Sequence, residues 1–200
     1  SHHDHVNSVD KLLNLYDIPI YINKIEANFW GKKYDNLIGL ASEGNIYLGK
    51  SKLTSIHTPG HTLQHVNFFM PDHNILFSGD TLFNAGCGRM FEGTPEVFWE
   101  SLSKIKELPG DTKIYCGHEY TLTNINFALS IDPKNENLIK LSKWASHREK
   151  EHRPTIPTTL SEQLLSNPFL RCDSDYFLKH YNCQDPVDVF AKMRSEKDSF

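Results

Sequence analysis

The chain has 200 residues, 38% hydrophobic and 12% aromatic, with a net charge of −4 at pH 7. That length is too great for a small stapled domain and accommodates one large domain or two small ones, each with a real core. The acidic balance argues against general nucleic-acid binding, and no apolar run approaches the roughly 18 residues that a membrane-spanning helix needs.

Taken in order, residues 7–16 predict a short helix carrying Val9, Leu12, Leu13 and Tyr16, and 18–22 a strand. Strands follow over 44–48 and 53–57 around Gly49-Lys50-Ser51. Residues 66–70 and 75–78 predict a hairpin across Pro71-Asp72-His73-Asn74, a run of turn formers. Residues 95–108 predict a helix. Thr94 is placed to cap it, Pro95 suits its first turn, and Val97, Phe98, Leu102, Ile105 and Leu108 form an apolar stripe. Pro109-Gly110 stops it, and 113–116 is a further strand. Beyond Tyr120 almost no strand-like alternation remains. Helices are expected over 121–131, 136–152, 160–165, 175–181 and 186–197, with 152–158 a proline-containing connector. The fold class is α+β, with an αβ domain over residues 1–120 and a small all-helical domain over 121–200.

The chemistry lies in the histidines, 11 in all, and their acidic neighbours. His2, Asp4 and His5 crowd one short turn. His61 lies in His57-Thr58-Pro59-Gly60-His61-Thr62, Asp80 in Ser78-Gly79-Asp80-Thr81, and His118 in Cys116-Gly117-His118-Glu119-Tyr120. Each of these three follows an apolar run and lies where the chain turns. Neutral imidazoles and carboxylates are ligands that zinc and similar cations accept. Loops at one edge of a sheet are held rigidly enough for metal geometry. Asp80 alone would read as a turn cap, and the first histidines alone as a purification tag. Together with His61 and His118 they read as a metal site. His73, His147, His152 and His180 lie in polar segments and read as solvated. His57 and His65 read as structural neighbours of His61, with orientation of the ligands as the alternative. His3 should point away from the metals. Cys87, Cys116, Cys172 and Cys183 include no Cys-x-x-Cys pair and read as reduced thiols without a catalytic role.

The first turn resembles the end of the motif Thr-His-x-His-x-Asp-His of the metallo-β-lactamase superfamily. Four further stretches extend the likeness over the whole chain: residues 86–94, 117–121, 167–171 and 194–198. With them the chain resembles the glyoxalase II (hydroxyacylglutathione hydrolase) family. The resemblance implies an αββα sandwich, its amino-terminal strands missing from this chain, and then a helical glutathione-binding domain. It places Thr and the first His of the motif ahead of Ser1, so that the 200-residue form is expected to be poorly soluble and nearly inactive. It implies two divalent metal ions, zinc first, with iron or manganese tolerated. His2 and His61 would serve one, Asp4, His5 and His118 the other, and Asp80 would bridge. Catalysis would run through a hydroxide held by the metals, with Asp80, Asp4 and His5 in the catalytic set.

The implied reaction is hydrolysis of S-D-lactoylglutathione to D-lactate and glutathione, the second step of methylglyoxal detoxification, by a cytoplasmic monomer with no nucleic-acid or membrane partner. Arg89, Phe91, Tyr120, Arg194 and Lys197 would contact the substrate. Phe91 stands where some members have Tyr, and Gln64 where Gly is common. The rivals are a mononuclear iron persulfide dioxygenase, which would lack the Arg194-x-x-Lys197 extension, and a non-catalytic glutathione-binding protein.

Overall fold

The computed structural model describes residues 2–31, 33–41 and 43–200; Ser1, the variable position ahead of His2 in the motif, lies outside them. A 3-10 turn, His3–His5, leads into helix α1 (Val9–Leu15). Strand β1 (Ile20–Asn23) then runs parallel to β2 (Leu37–Leu40), with helix α2 (Lys24–Trp30) between them. The main sheet is built from β3 (Glu43–Leu48), β4 (Ser51–His57), β5 (Val66–Met70) and β6 (Ile75–Gly79), all antiparallel neighbours. A small hairpin, β7 (Leu82–Phe83) with β8 (Gly86–Cys87), and helix α3 (Pro95–Lys106) follow. The chain returns as β9 (Lys113–Cys116), parallel to β6, as a crossover through a helix requires. The register of β6 on β9 breaks between Phe77 and Gly79, where Gly79 takes φ +48° and turns the chain into Asp80.

The five helices expected after Tyr120 are present as α4 (Thr121–Ile131), α5 (Glu136–Lys150), α6 (Leu160–Ser166), α7 (Asp175–Tyr181) and α8 (Pro186–Ser199). The connector is not free coil. Thr158–Thr159, here β10, pairs antiparallel with Ile114 and Lys113, so the sheet order is β10-β9-β6-β5-β4-β3. Thr159 also closes a capping box with Glu162 at the start of α6.

Several local expectations need correction. Thr94 stands at the N-cap of α3, but its side chain makes no cap bond to the backbone. Its hydrogen bond to the Glu96 carboxylate instead lowers the Glu96 pKa. Helix α5 stops before His152, which takes φ +54°. Helix α2 and strand β2 were not foreseen. In α2 the Asn23 side chain caps Ile25 N–H, but Ile25 and Phe29 are 52% and 79% exposed, so its apolar residues do not form a core-facing stripe.

The core runs through both halves of the chain. Leu76, Ile114, Phe98 and Leu102 from the sheet and α3 pack with Phe127, Phe169, Phe190 and Met193. Phe190 meets Phe98 and Phe169 edge-on, at 5.4 and 6.0 Å between ring centroids. Among the described residues no helix is long and apolar enough to cross a membrane.

Truncating Phe190 to Ala should cost about 3–5 kcal/mol, the usual penalty for emptying a buried aromatic site. Urea unfolding followed by tryptophan fluorescence and by circular dichroism checks it. Because the core is shared, both probes should report one displaced transition.

Candidate metal centre

Three turns at the same end of the sheet face the first turn of the chain. His61 follows β4, Asp80 follows β6 and His118 follows β9. Each strand end fixes its turn, so side chains distant in sequence converge. Two donor sets result. Single ligand atoms of His2, His61 and Asp80 lie within 4.8 Å of one another, and so do those of Asp4, His5 and His118.

Asp80 joins the sets. Its Oδ2 lies 2.9 Å from His5 Nε2 and 3.4 Å from His61 Nε2, and its Oδ1 lies 3.5 Å from His118 Nε2. His118 Nε2 is also 3.3 Å from Asp4 Oδ2, and His61 Nε2 is 3.1 Å from His2 Nδ1. Burial opposes ionisation of Asp80, but the His61, His5 and His118 rings outweigh it and hold its pKa at about 2. The carboxylate is therefore charged at neutral pH.

Hydrogen bonding fixes which ring nitrogen points inward. His61 Nδ1 lies 2.7 Å from the Arg89 carbonyl, which can only accept, so Nδ1 donates there and Nε2 is left to face the site. Asp80 Oδ1 is buried without a hydrogen-bond partner among the described residues. An orphaned carboxylate oxygen beside inward-facing imidazoles is what a divalent cation satisfies. The donor chemistry therefore fits a metal.

Two glycines allow this approach. A Cβ on Gly117 would lie 2.5 Å from Asp80 Oδ1 and 2.9 Å from His5 Cε1, and one on Gly88 would lie 2.0 Å from the Asp80 carbonyl oxygen. His65, read only as a structural neighbour or an orienting group, accepts the Asp80 N–H at Nε2 over 3.1 Å. Burial, with the His61 ring nearby, lowers its pKa to about 4, so it is neutral, and its Nδ1 lies 3.0 Å from Thr81 Oγ1. Only its spacing from His61 hinted at this contact. His57 bonds the Leu63 carbonyl, and His3 is exposed beside Trp30.

The expected substrate residues surround the same end. Tyr120 stacks on His118 with centroids 4.9 Å apart, and Phe91 lies edge-on to His2 and His61 at 5.3 and 5.2 Å. Arg89 Nε donates to Asp198 Oδ1 at 3.1 Å. Lys197 lies 5.1 Å over the Phe127 ring, and burial, with Arg194 nearby, lowers its pKa to about 8. Arg194 does not lie on a solvated helix face. It is 5% exposed and donates to the Cys87 and Gly88 carbonyls and to Asp198. Burial raises the Cys87 thiol pKa to about 11 and also raises that of Cys116, so both are poor nucleophiles.

A cleft of about 360 Å³ opens beside the donors, walled by Val6, Val9, Ile22, Phe68 and Phe77. A cavity of about 340 Å³ between α5 and α6 lies elsewhere; its ionisable lining groups are Lys140 and Glu162, the latter tied into the α6 cap.

Residues 1–118 match the profile of the metallo-beta-lactamase superfamily, and residues 119–200 that described as the hydroxyacylglutathione hydrolase C-terminus. The chain is 38% identical over its whole length to the hydroxyacylglutathione hydrolase of Bartonella tribocorum, and 41% identical to that of Chelativorans sp., spanning 78% of each. The chain belongs to the hydroxyacylglutathione hydrolase family. Against the Rhodospirillum rubrum relative it is 46% identical over 78% of its own length, spanning 61% of that protein. Among solved structures, BLEG-1 B3 metallo-beta-lactamase superposes with a TM-score of 0.58 at 23% identity, covering 84% of this chain and 73% of that one. A Staphylococcus aureus metallo-beta-lactamase gives 0.56 at 23%, covering 96% and 52%. These two share the αββα fold. Membership of the superfamily implies divalent-metal binding, consistent with the two donor sets.

Gly117→Ala places a methyl group against both Asp80 and His5. It should lower bound metal per chain while leaving the far-ultraviolet circular dichroism unchanged, measured by elemental analysis after dialysis.

Proposed function

We propose that the chain hydrolyses the thioester of S-D-lactoylglutathione to D-lactate and glutathione, as its family membership and the names of its relatives indicate. The observation that carries the reading is the meeting of two donor sets at Asp80, next to a basic arm that already holds a carboxylate. Arg89 and Arg194 both donate to Asp198 Oδ1, so that arm can bind an anion of the kind glutathione carries.

His2, His61 and Asp80 would hold one divalent cation, Asp4, His5 and His118 the second, with Asp80 shared; zinc suits this set, and iron or manganese also fits. When bound, such ions acidify water and polarise a carbonyl. The protein's own part is arrangement. His61, held by the Arg89 carbonyl, keeps its Nε2 on the site. His65 holds the Asp80 backbone. Phe91 and Tyr120, packed against His2, His61 and His118, flank the reacting carbon and limit water there. Lys197 and Arg89 fix the glutathione carboxylates, and Arg194 supports that arm from behind. Water adds across the thioester carbon–sulfur bond, giving the acid and the thiol. Two donor sets favour this hydrolase over the mononuclear iron dioxygenase. Residues 1–120 would form the metal-binding unit and 121–200 the glutathione-binding unit of a cytoplasmic monomer; the four free thiols agree with a reducing compartment.

Thiol release from S-D-lactoylglutathione tests the reading. Asp80→Asn should lose most of the activity. Lys197→Ala should raise KM about ten- to a hundredfold with a smaller change in kcat, since a charge-assisted hydrogen bond contributes about 1.5–3 kcal/mol. No thiol release by the metal-loaded wild type would refute the assignment.

Lys197 also sets a pH limit. Its ammonium form is lost as pH rises through about 8, so kcat/KM should fall above that pH. Lys197→Arg, which keeps its charge, should move the fall to higher pH. An identical alkaline limb in that variant would exclude Lys197 as its origin.

A further inference from the structure

The two turns that bring Asp80 and His118 together are tied to a third stretch of backbone, the connector between α5 and β10. Thr155 is its centre. Its N–H donates to Glu119 Oε1 at 3.0 Å, and its Oγ1 donates to Glu119 Oε2 at 2.5 Å. The same hydroxyl lies 2.6 Å from Thr121 Oγ1. Its carbonyl accepts from Asn84 Nδ2 at 3.1 Å. Glu119 is the neighbour of both His118 and Tyr120, and Asn84 lies in the hairpin that follows Asp80.

Asn84 carries the link onward. Its Oδ1 accepts from Gln163 Nε2 at 2.7 Å, and its carbonyl accepts from Asn124 Nδ2 at 3.1 Å. Gln163 Oε1 accepts from Ala85 N–H at 2.9 Å, and Asn167 Nδ2 donates to the Phe83 and Gly86 carbonyls. Asn84, Thr155, Gln163 and Asn167 are at most 5% exposed. Such a buried network has few alternative arrangements, because each bond broken leaves a desolvated polar group. None of its members is a ligand, and none faces the cleft beside the donors.

We propose that Thr155 and Glu119 are positioning residues for the His118 side of the metal centre. The two bonds from Thr155 fix the Glu119 carboxylate, and with it the direction in which His118 and Tyr120 leave the chain. Through Asn84 the same residue registers that turn against the Asp80 loop. The helical half thereby sets the spacing of the two donor sets. The proposal rests on the metal-dependent reading of the site.

Zinc titration of the full chain in competition with a chelating dye tests it. His118→Ala first identifies which zinc equivalent belongs to Asp4, His5 and His118. Thr155→Val keeps the side-chain shape and removes the hydroxyl. It should weaken that equivalent about tenfold, the usual scale for groups behind a ligand, and leave the other within about twofold. Thr155→Ser, which restores the hydroxyl, should bind as wild type. If Thr155→Val does not fold, Glu119→Gln at an exposed position carries the test, with a loss at the same equivalent. Wild-type zinc binding in the folded variants, equal weakening of both equivalents, or equal weakening by Thr155→Ser would overturn the proposal. A wild type that binds zinc yet releases no thiol would refute the proposed reaction alone, and the zinc comparison would still decide this one.

Discussion

A single buried carboxylate organises this end of the molecule. Asp80 is 5% exposed and surrounded by the rings of His5, His61 and His118, so it stays ionised where burial alone would neutralise it. Buried charge of this kind persists only when it is paired or coordinates a metal. His61 is fixed by the Arg89 carbonyl with its Nε2 inward. The Asp80 Oδ1 beside these rings, unpartnered among the described residues, is of the kind a divalent cation would satisfy.

Holding that carboxylate in place engages much of the fold. The register break in β6 and the positive φ of Gly79 aim the chain into Asp80. His65 grips its backbone, and Gly88 and Gly117 give it room. The polar network through Asn84, Gln163 and Thr155 secures the hairpin that follows. The apolar core, with Phe190 between Phe98 and Phe169, fixes α3 and α8 against the sheet. In consequence Arg194 and Lys197 on α8 have a defined distance from the two donor sets, as the proposed substrate, with a reactive thioester and remote carboxylates, would require.

The residues that converge in the two donor sets could be singled out in the sequence by their type and their place after apolar runs. Singly, Asp80 reads as a turn cap and the first histidines as a tag; the combination of His2, Asp4 and His5 with His61, Asp80 and His118 carries the signal. The main strands and the helices after Tyr120 were legible from periodicity. Other features were not. Helix α2 exposes Ile25 and Phe29, so its pattern carries no core signal. Strands β7, β8 and β10 are two residues each, too short for alternation to register. Asn84, Thr155 and Gln163 are common polar residues that acquire meaning only through partners dozens of positions away. Arg194, read by likeness as a substrate contact, also donates to the backbone of the loop beside it, which helix-face spacing cannot reveal.

Sharing of Asp80 by two cations can be tested by locating the ions in zinc-soaked crystals by anomalous scattering. Two peaks are expected, one among His2, His61 and Asp80, the other among Asp4, His5 and His118, with the Asp80 carboxylate between them. A single peak, or two peaks neither of which contacts Asp80, would contradict it.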